Sequence, residues 1–179
     1  MKFLKSRLEN IEEIKELFTK TFSDSEGQSE GELIGNLAYD LMTKTESQDI
    51  HVFIASEDEE IIGSIIFSRL RFEKSQKNAF LLSPVAVDPD YQRQKIGQKL
   101  INFAHEELKD DGVELLFTYG DINFYSKVGY NVISEKVIKA PLELSYPAGW
   151  LAQSLVSDKI QPITGDSYCV EALNDPKYW

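Results

Sequence analysis

The segment from Val85 to Leu100 constrains the fold of this 179-residue chain more than any other part. In it an apolar run ends at a proline turn, a polar and basic loop follows, and an amphipathic helix begins. A strand that leads through such a loop into a helix presents unpaired backbone N–H groups at the helix N-terminus, where the helix dipole adds partial positive charge. Arg93 and Lys95 can add full positive charges. The segment therefore predicts an anion site, suited to a phosphorylated cofactor.

This loop is neither of the two common phosphate signatures, the P-loop and the G-x-G-x-x-G of the dinucleotide fold. It resembles the coenzyme A loop of the GNAT family of acyl-CoA-dependent N-acyltransferases, which reads [QR]-x-x-G-x-[GA] after a V-x-P turn. Gln92, Lys95 and Gly97 occupy its three defined positions. Lys95 departs from the pattern, because the family usually has glycine there. A surface loop with ordinary helix-capping chemistry is the alternative that this motif alone leaves open.

A second motif follows one helix and one strand later. The stretch from Tyr125 to Tyr130 resembles the GNAT segment Y-x-[KR]-x-G-[FY]. Extended back to Gly120, it is similar to the YhbS-like branch, which carries G-D-x-x-[YF]-Y ahead of the glycine. Two motifs in the expected order are stronger than either alone. The resemblance covers roughly residues 1–135 and, more loosely, the rest.

The alternation of helices and strands favours an α/β fold with a mixed sheet. The resemblance implies a mostly antiparallel sheet flanked by helices, with splayed central strands and an irregular C-terminal extension. We expect a single domain over residues 1–179. Its core would span residues 1–135, and residues 136–179 would add C-terminal strands and the extension.

Hydrophobic periodicity places the individual elements. Helices are expected after the capping patterns Asn10 to Glu13 and Ser29 to Glu32, and the linker from Ser23 to Gln28 is expected to be polar and mobile. The other expected elements are a hairpin of strands 51–55 and 61–72, a strand 79–87 broken at Ser83 and Pro84, a helix 96–108, a strand 114–119, a short helix ending at Gly129, a strand 130–133, and two tail strands, 150–156 and 168–173, that could pair.

The resemblance implies an N-acetyltransferase that moves an acetyl group from acetyl-CoA to a primary amine of a small molecule or peptide, by direct attack in a ternary complex. It assigns to Tyr125 the protonation of the leaving thiolate. Backbone N–H groups at Ala86 and Val87 would polarise the thioester carbonyl. The cofactor-binding residues expected in the loop are Gln92, Arg93, Gln94, Lys95, Ile96, Gly97 and Gln98.

The residue that deprotonates the amine is left open. Glu73, His105 and His51 are candidates, and a water chain serves equally well. A non-catalytic acyl-CoA-binding regulatory module with the same fold is the alternative function, kept open by Lys95. A ligand-free oligomeric scaffold is a third.

The chain has 30 acidic and 19 basic residues, a net charge of −11, which argues against nucleic-acid binding and suits a cationic amine. No apolar run approaches the length of a membrane span and the N-terminus lacks a signal peptide, so we expect a cytoplasmic protein without a membrane partner. The single Cys169 excludes an intrachain disulfide. The two histidines are distant in sequence and no cysteine cluster exists, so no metal site is expected. A homodimer is left open.

Overall fold

The computed structural model describes residues 1–179, which form four α-helices and eight β-strands joined by short 3-10 turns. The helices are α1 (Ile11–Glu26), α2 (Gln28–Lys44), α3 (Ile96–Asp110) and α4 (Ile122–Tyr125). The strands are β1 (Lys2–Lys5), β2 (Ile50–Glu57), β3 (Glu60–Phe72), β4 (Ser75–Val87), β5 (Leu115–Tyr119), β6 (Asn131–Val132), β7 (Trp150–Ser154) and β8 (Ser167–Tyr168). None of the helices combines the length and the apolar character that crossing a membrane requires.

The strands form one mixed sheet in the order β1-β2-β3-β4-β5-β7-β6, with β8 paired to β3. β4 and β5 are parallel, whereas β1–β2, β5–β7, β6–β7 and β3–β8 are antiparallel. The β4–β5 register runs from Ala79 opposite Leu115 to Leu82 opposite Thr118. β4 itself continues to Val87, so the expected break at Ser83 and Pro84 interrupts this register and not the strand.

The chain divides into two compact units, and β3 and β4 contribute residues to both. The first unit comprises residues 1–67 and 83–104. Its core includes edge-to-face pairs of Phe53 with Phe67 and with Phe103, at centroid distances of 6.0 and 6.1 Å. The first unit therefore has an aromatic centre of its own, surrounded by the buried aliphatic faces of its helices and strands.

The second unit comprises residues 68–82 and 105–179. Here Phe117 stacks on Trp150 at 5.2 Å, and Trp150 lies 6.1 Å from Trp179. Each indole N–H has a carbonyl partner, Ile138 for Trp150 and Leu173 for Trp179. The tail aromatics Trp150 and Trp179 thus anchor the irregular C-terminal segment, because each supplies a large apolar surface and one satisfied donor.

The prediction of a mobile linker between the first two helices is wrong. Helical structure runs to Glu26 and resumes at Gln28, leaving only Gly27 between α1 and α2. A Cβ added at Gly31 would lie 2.5 Å from the Thr19 carbonyl oxygen. Because glycine permits this close approach of two helix backbones, α1 and α2 pack tightly against each other on the two sides of Gly27.

The first capping pattern marks a helix start correctly but does not form a capping box. Asn10 precedes α1, yet its side chain makes no cap hydrogen bond and instead donates to the Glu13 carboxylate at 3.1 Å. The second expected start is displaced, since Gly27 is the residue before α2. The hairpin is confirmed as β2 and β3, with Asp58 and Glu59 both in left-handed backbone conformation at its turn.

The expected pairing of the two tail strands is wrong. β7 pairs with β5 and β6, whereas β8 consists of Ser167 and Tyr168 and pairs with β3. The expected strand 168–173 is also too long, because Glu171–Leu173 form a 3-10 turn. In this chain the partners are decided by long-range packing in the second unit.

Candidate active site

The loop between β4 and α3 lies in the first unit and has the geometry of an anion site. Arg93 and Lys95 are exposed and have φ angles of 63° and 61°. The first hydrogen bond of α3 runs from the Lys99 N–H to the Lys95 carbonyl at 3.0 Å. The N–H groups of Ile96, Gly97 and Gln98 therefore have no acceptor within the helix, which leaves them available to an anion.

The left-handed conformation at Lys95 explains why glycine is usual at this position in the family pattern. A φ near +60° brings Cβ close to the following carbonyl oxygen in any L-residue, and glycine avoids that cost. Lys95 adopts the same backbone conformation with a side chain present. The departure from the pattern therefore leaves the loop conformation intact and adds a positive charge.

The other residues expected to bind the cofactor differ in whether their side chains are exposed to solvent. The side chain of Ile96 is buried, so only its backbone can face a ligand. Gln94 is exposed and Gln98 partly so. The Gln92 amide donates to the Val87 carbonyl at 3.1 Å, which places this side chain against the end of β4. The Gln92 side chain thus stabilises the loop through a hydrogen bond to the end of β4.

Ala86 and Val87 end β4 in the same unit. Ala86 is buried, and Val87 is partly exposed. The Val87 carbonyl accepts hydrogen bonds from the Gln92 amide and, at 3.4 Å, from the Thr21 hydroxyl of α1. The Asp88 N–H donates to the Ile62 carbonyl at 2.9 Å. These bonds fix the path of the backbone from the strand into the loop.

Tyr125 is the last residue of α4 and belongs to the second unit. The Asp121 carboxylate caps this short helix by accepting the Asn123 N–H at 2.9 Å. The Tyr125 ring lies over Gly120, where an added Cβ would be 2.8 Å from Cε2. The G-D-x-x-[YF]-Y pattern thus has a physical basis, because the glycine makes room for the ring and the aspartate starts the helix that carries it.

A buried polar cluster surrounds the Tyr125 ring. Tyr130 packs edge-on against it at 5.7 Å, and the Tyr130 hydroxyl lies 3.4 Å from Nε2 of His105. Burial raises the pKa of the Tyr125 hydroxyl, and its hydrogen bond with Thr118 opposes part of that shift. Burial likewise holds the pKa of Tyr130 well above its ordinary value. Tyr125 therefore keeps its proton at neutral pH, as a general acid must.

Two of the three candidate general bases, His105 and Glu73, lie in the second unit. The His105 side chain is buried, and desolvation lowers its pKa to about 4. The Glu73 carboxylate accepts the Asp166 N–H at 3.3 Å in the turn between β3 and β4. His51 is on β2 in the first unit, stacked beside Phe53.

The sequence did not identify Thr118 as a site residue. It is a hydrogen-bond partner of Tyr125, and nothing in the local sequence marks a threonine for that position.

Comparison with known proteins supports the sequence resemblance. Residues 48–132 match the family model described as an acetyltransferase (GNAT) domain. The chain is 26% identical over 164 residues to a protein of Escherichia coli K12 described as an uncharacterized N-acetyltransferase, YjhQ, covering 89% of this chain and 86% of that protein.

Two solved structures share the fold. A crystal structure of E. coli YhbS, a GNAT family N-acetyltransferase in complex with CoA, matches with a TM-score of 0.84 and 20% identity, over 98% of this chain and 92% of that one. A GNAT family acetyltransferase from Brucella melitensis in complex with acetyl-CoA matches with a TM-score of 0.71 and 24% identity, over 97% of each chain. The expected fold class, a mixed and mostly antiparallel sheet flanked by helices, is confirmed.

Proposed function

We propose that this chain is a GNAT-type acyltransferase that transfers an acetyl group from acetyl-CoA to a primary amine of a small molecule or peptide, a proposal supported by the matched family model and by its curated relative. The two units, through which β3 and β4 both pass, would act as one domain over residues 1–179. The observation that carries the proposal is the loop from Gln92 to Gln98, where two exposed cations precede three helix N–H groups without intrahelical partners.

The pyrophosphate of coenzyme A is the natural ligand of this loop. It is a dianion, and the N-terminus of a fifteen-residue helix favours negative charge through both its N–H groups and its dipole. Arg93 and Lys95 add full charges from exposed positions. That two GNAT structures of the same fold contain CoA or acetyl-CoA supports the choice of cofactor.

In the proposed reaction the neutral amine nitrogen attacks the thioester carbonyl carbon within a ternary complex. Backbone N–H groups at Ala86 and Val87 would stabilise the developing oxyanion. Collapse of the tetrahedral intermediate breaks the carbon–sulfur bond, and the Tyr125 hydroxyl gives its proton to the departing thiolate. The raised pKa of Tyr125 supports this role, because a tyrosine that was ionised at neutral pH would have no proton to give.

We assign the removal of the amine proton to water. His105 is buried with a lowered pKa, and Glu73 already accepts a backbone hydrogen bond. The acceptor is proposed to be a cationic or neutral amine, since a chain of net charge −11 attracts cations over long range and repels anions.

The test joins binding to turnover. Coenzyme A is titrated against the wild-type chain, Arg93→Glu and the control Arg7→Glu, which makes the same charge change at an exposed position of the β1–α1 loop. We expect Arg93→Glu alone to weaken binding. A thiol-release assay with acetyl-CoA then screens polyamines, aminoglycosides, amino acids and peptide N-termini. Tight binding without turnover of any amine would contradict the enzymatic proposal, and equal binding by all three proteins would contradict the site.

A further inference from the structure

Lys20 of α1 forms an ion pair with both carboxylate oxygens of Asp88, the first residue of the loop between β4 and α3. Its Nζ lies 3.0 and 2.8 Å from the two carboxylate oxygens of Asp88 and 3.5 Å from Oδ2 of Asp90. The Asp88 side chain is 15% exposed and that of Lys20 is 53% exposed. The hydrogen bond to Asp88 is the main reason that the pKa of Lys20 is raised, so the lysine remains charged.

Asp88 has a second role that does not need its charge. Its Oδ1 accepts the Asp90 N–H at 3.0 Å, which caps the 3-10 turn that begins at Pro89. An asparagine at position 88 could accept the same hydrogen bond through its amide oxygen. The capping role and the electrostatic role of Asp88 can therefore be separated by one substitution.

The position of the pair creates an electrostatic problem that Lys20 resolves. Asp88 and Asp90 stand only a few residues before Arg93 and Lys95, the cations of the anion site. Two carboxylates so near an incoming pyrophosphate would repel it and would compete for the same cations. A lysine held against both carboxylates cancels much of that repulsion.

We infer that Lys20 is a positioning residue for the anionic cofactor, acting through Asp88: it neutralises the acidic start of the loop between β4 and α3. This inference rests on the proposed function. It requires no contact between Lys20 and the cofactor. The Thr21 hydroxyl, at the next position of α1, donates to the Val87 carbonyl, so α1 contacts the end of β4 without Lys20 as well.

The test compares coenzyme A dissociation constants of four variants with the wild type. Lys20→Met removes the charge and keeps the length of the side chain, Lys20→Arg keeps the charge, and the double variant Lys20→Met with Asp88→Asn removes both charges and keeps the cap. Lys44→Met is the matched control, since Lys44 pairs with Asp40 at 3.1 Å on α2 and is similarly exposed.

We expect Lys20→Met to weaken coenzyme A binding by about two- to fivefold, the scale of an exposed charge interaction. Lys20→Arg and the double variant should bind within about twofold of the wild type, and Lys44→Met should be unchanged. The defect of Lys20→Met should shrink between about 0.15 M and about 1 M salt, because screening suppresses repulsion but not a structural defect.

Three results would overturn the inference. Equal affinities of Lys20→Met and Lys44→Met would show that the pair does not affect the cofactor. Failure of Asp88→Asn to rescue Lys20→Met would show that Lys20 binds the cofactor directly or acts through the fold. A defect unaffected by salt would exclude an electrostatic cause. A wild-type chain that binds no coenzyme A would instead overturn the proposed function itself, and the inference with it.

Discussion

The Thr118 hydroxyl donates a hydrogen bond of 2.9 Å to the Leu82 carbonyl, and these two residues are the last register pair of the parallel strands β4 and β5. Both side chains are completely buried. A side chain on one strand thus satisfies a backbone acceptor of its neighbour at the point where the register ends. The same hydroxyl is a hydrogen-bond partner of Tyr125.

Replacing Thr118 by valine tests the importance of this bond. Valine has nearly the same shape as threonine and is more apolar. If the hydrogen bond to Leu82 contributed nothing, the substitution would therefore leave the free energy of unfolding unchanged or increase it. We expect instead a loss of about 1–3 kcal/mol in the free energy of unfolding, because the buried Leu82 carbonyl would lose a partner. Urea denaturation measures the loss. Thr43→Val is the control, since its exposed hydroxyl donates to the Tyr39 carbonyl at 2.8 Å and water can replace it. Equal effects of the two substitutions would contradict this account.

Tyr125→Phe keeps the ring over Gly120 and removes only the hydroxyl. If Tyr125 protonates the leaving thiolate, kcat should fall by about 10- to 1000-fold, while the affinity for coenzyme A should change little. Steady-state thiol release on an accepted amine gives kcat, and calorimetry gives the affinity. Tyr168→Phe, at an exposed position of β8, should retain full activity. A Tyr125→Phe variant with unchanged kcat would remove the hydroxyl from the mechanism.

Lys95→Gly should stabilise the chain by about 0.5–1 kcal/mol. Relief of the left-handed conformation, worth about 1–2 kcal/mol, exceeds the extra freedom that glycine gives the unfolded chain. The same substitution at Lys99, inside α3, should destabilise by about 1 kcal/mol, because glycine is a poor helix former. Thermal unfolding of the two variants should therefore show shifts of opposite sign. Shifts of the same sign would mean that Lys95 is not strained.

His105 should make stability depend on pH between about 6.5 and about 4. Burial lowers the pKa of folded His105 to about 4, so over this range the unfolded chain binds the proton and the folded chain does not. Stability due to the neutral imidazole is thus fully present above pH 6.5 and is lost as the pH falls towards 4, by up to about 3 kcal/mol. Urea unfolding across this range should show a flatter profile for His105→Gln than for the wild type. Parallel profiles for the two proteins would contradict the assignment.

The sequence predicted well what depends on local chemistry. Apolar residues at helical spacing located α1, α2 and α3, because this spacing marks the face of a helix that is buried. A high content of β-branched and aromatic residues located the hairpin of β2 and β3, because such residues favour strands. The basic loop from Gln92 to Gln98 was recognisable for a similar reason. A strand, a turn and a helix start must be contiguous to present backbone N–H groups to an anion, so all residues of this anion site lie in one continuous segment of the sequence.

Tertiary structure alone decided the features that join distant parts of the chain. The sequence predicted a strand at the position of β7, but the choice of β5 as the partner of β7, and of β3 as the partner of β8, depends on long-range packing in the second unit. Polar composition suggested a mobile linker, whereas α1 and α2 are separated by Gly27 alone, and the glycines of α2 allow its close contact with α1. Lys20 and Asp88 are 68 residues apart, and only the folded chain brings their charges together. A sequence pattern records the environment of each residue, and the identity of its neighbours arises from packing between elements.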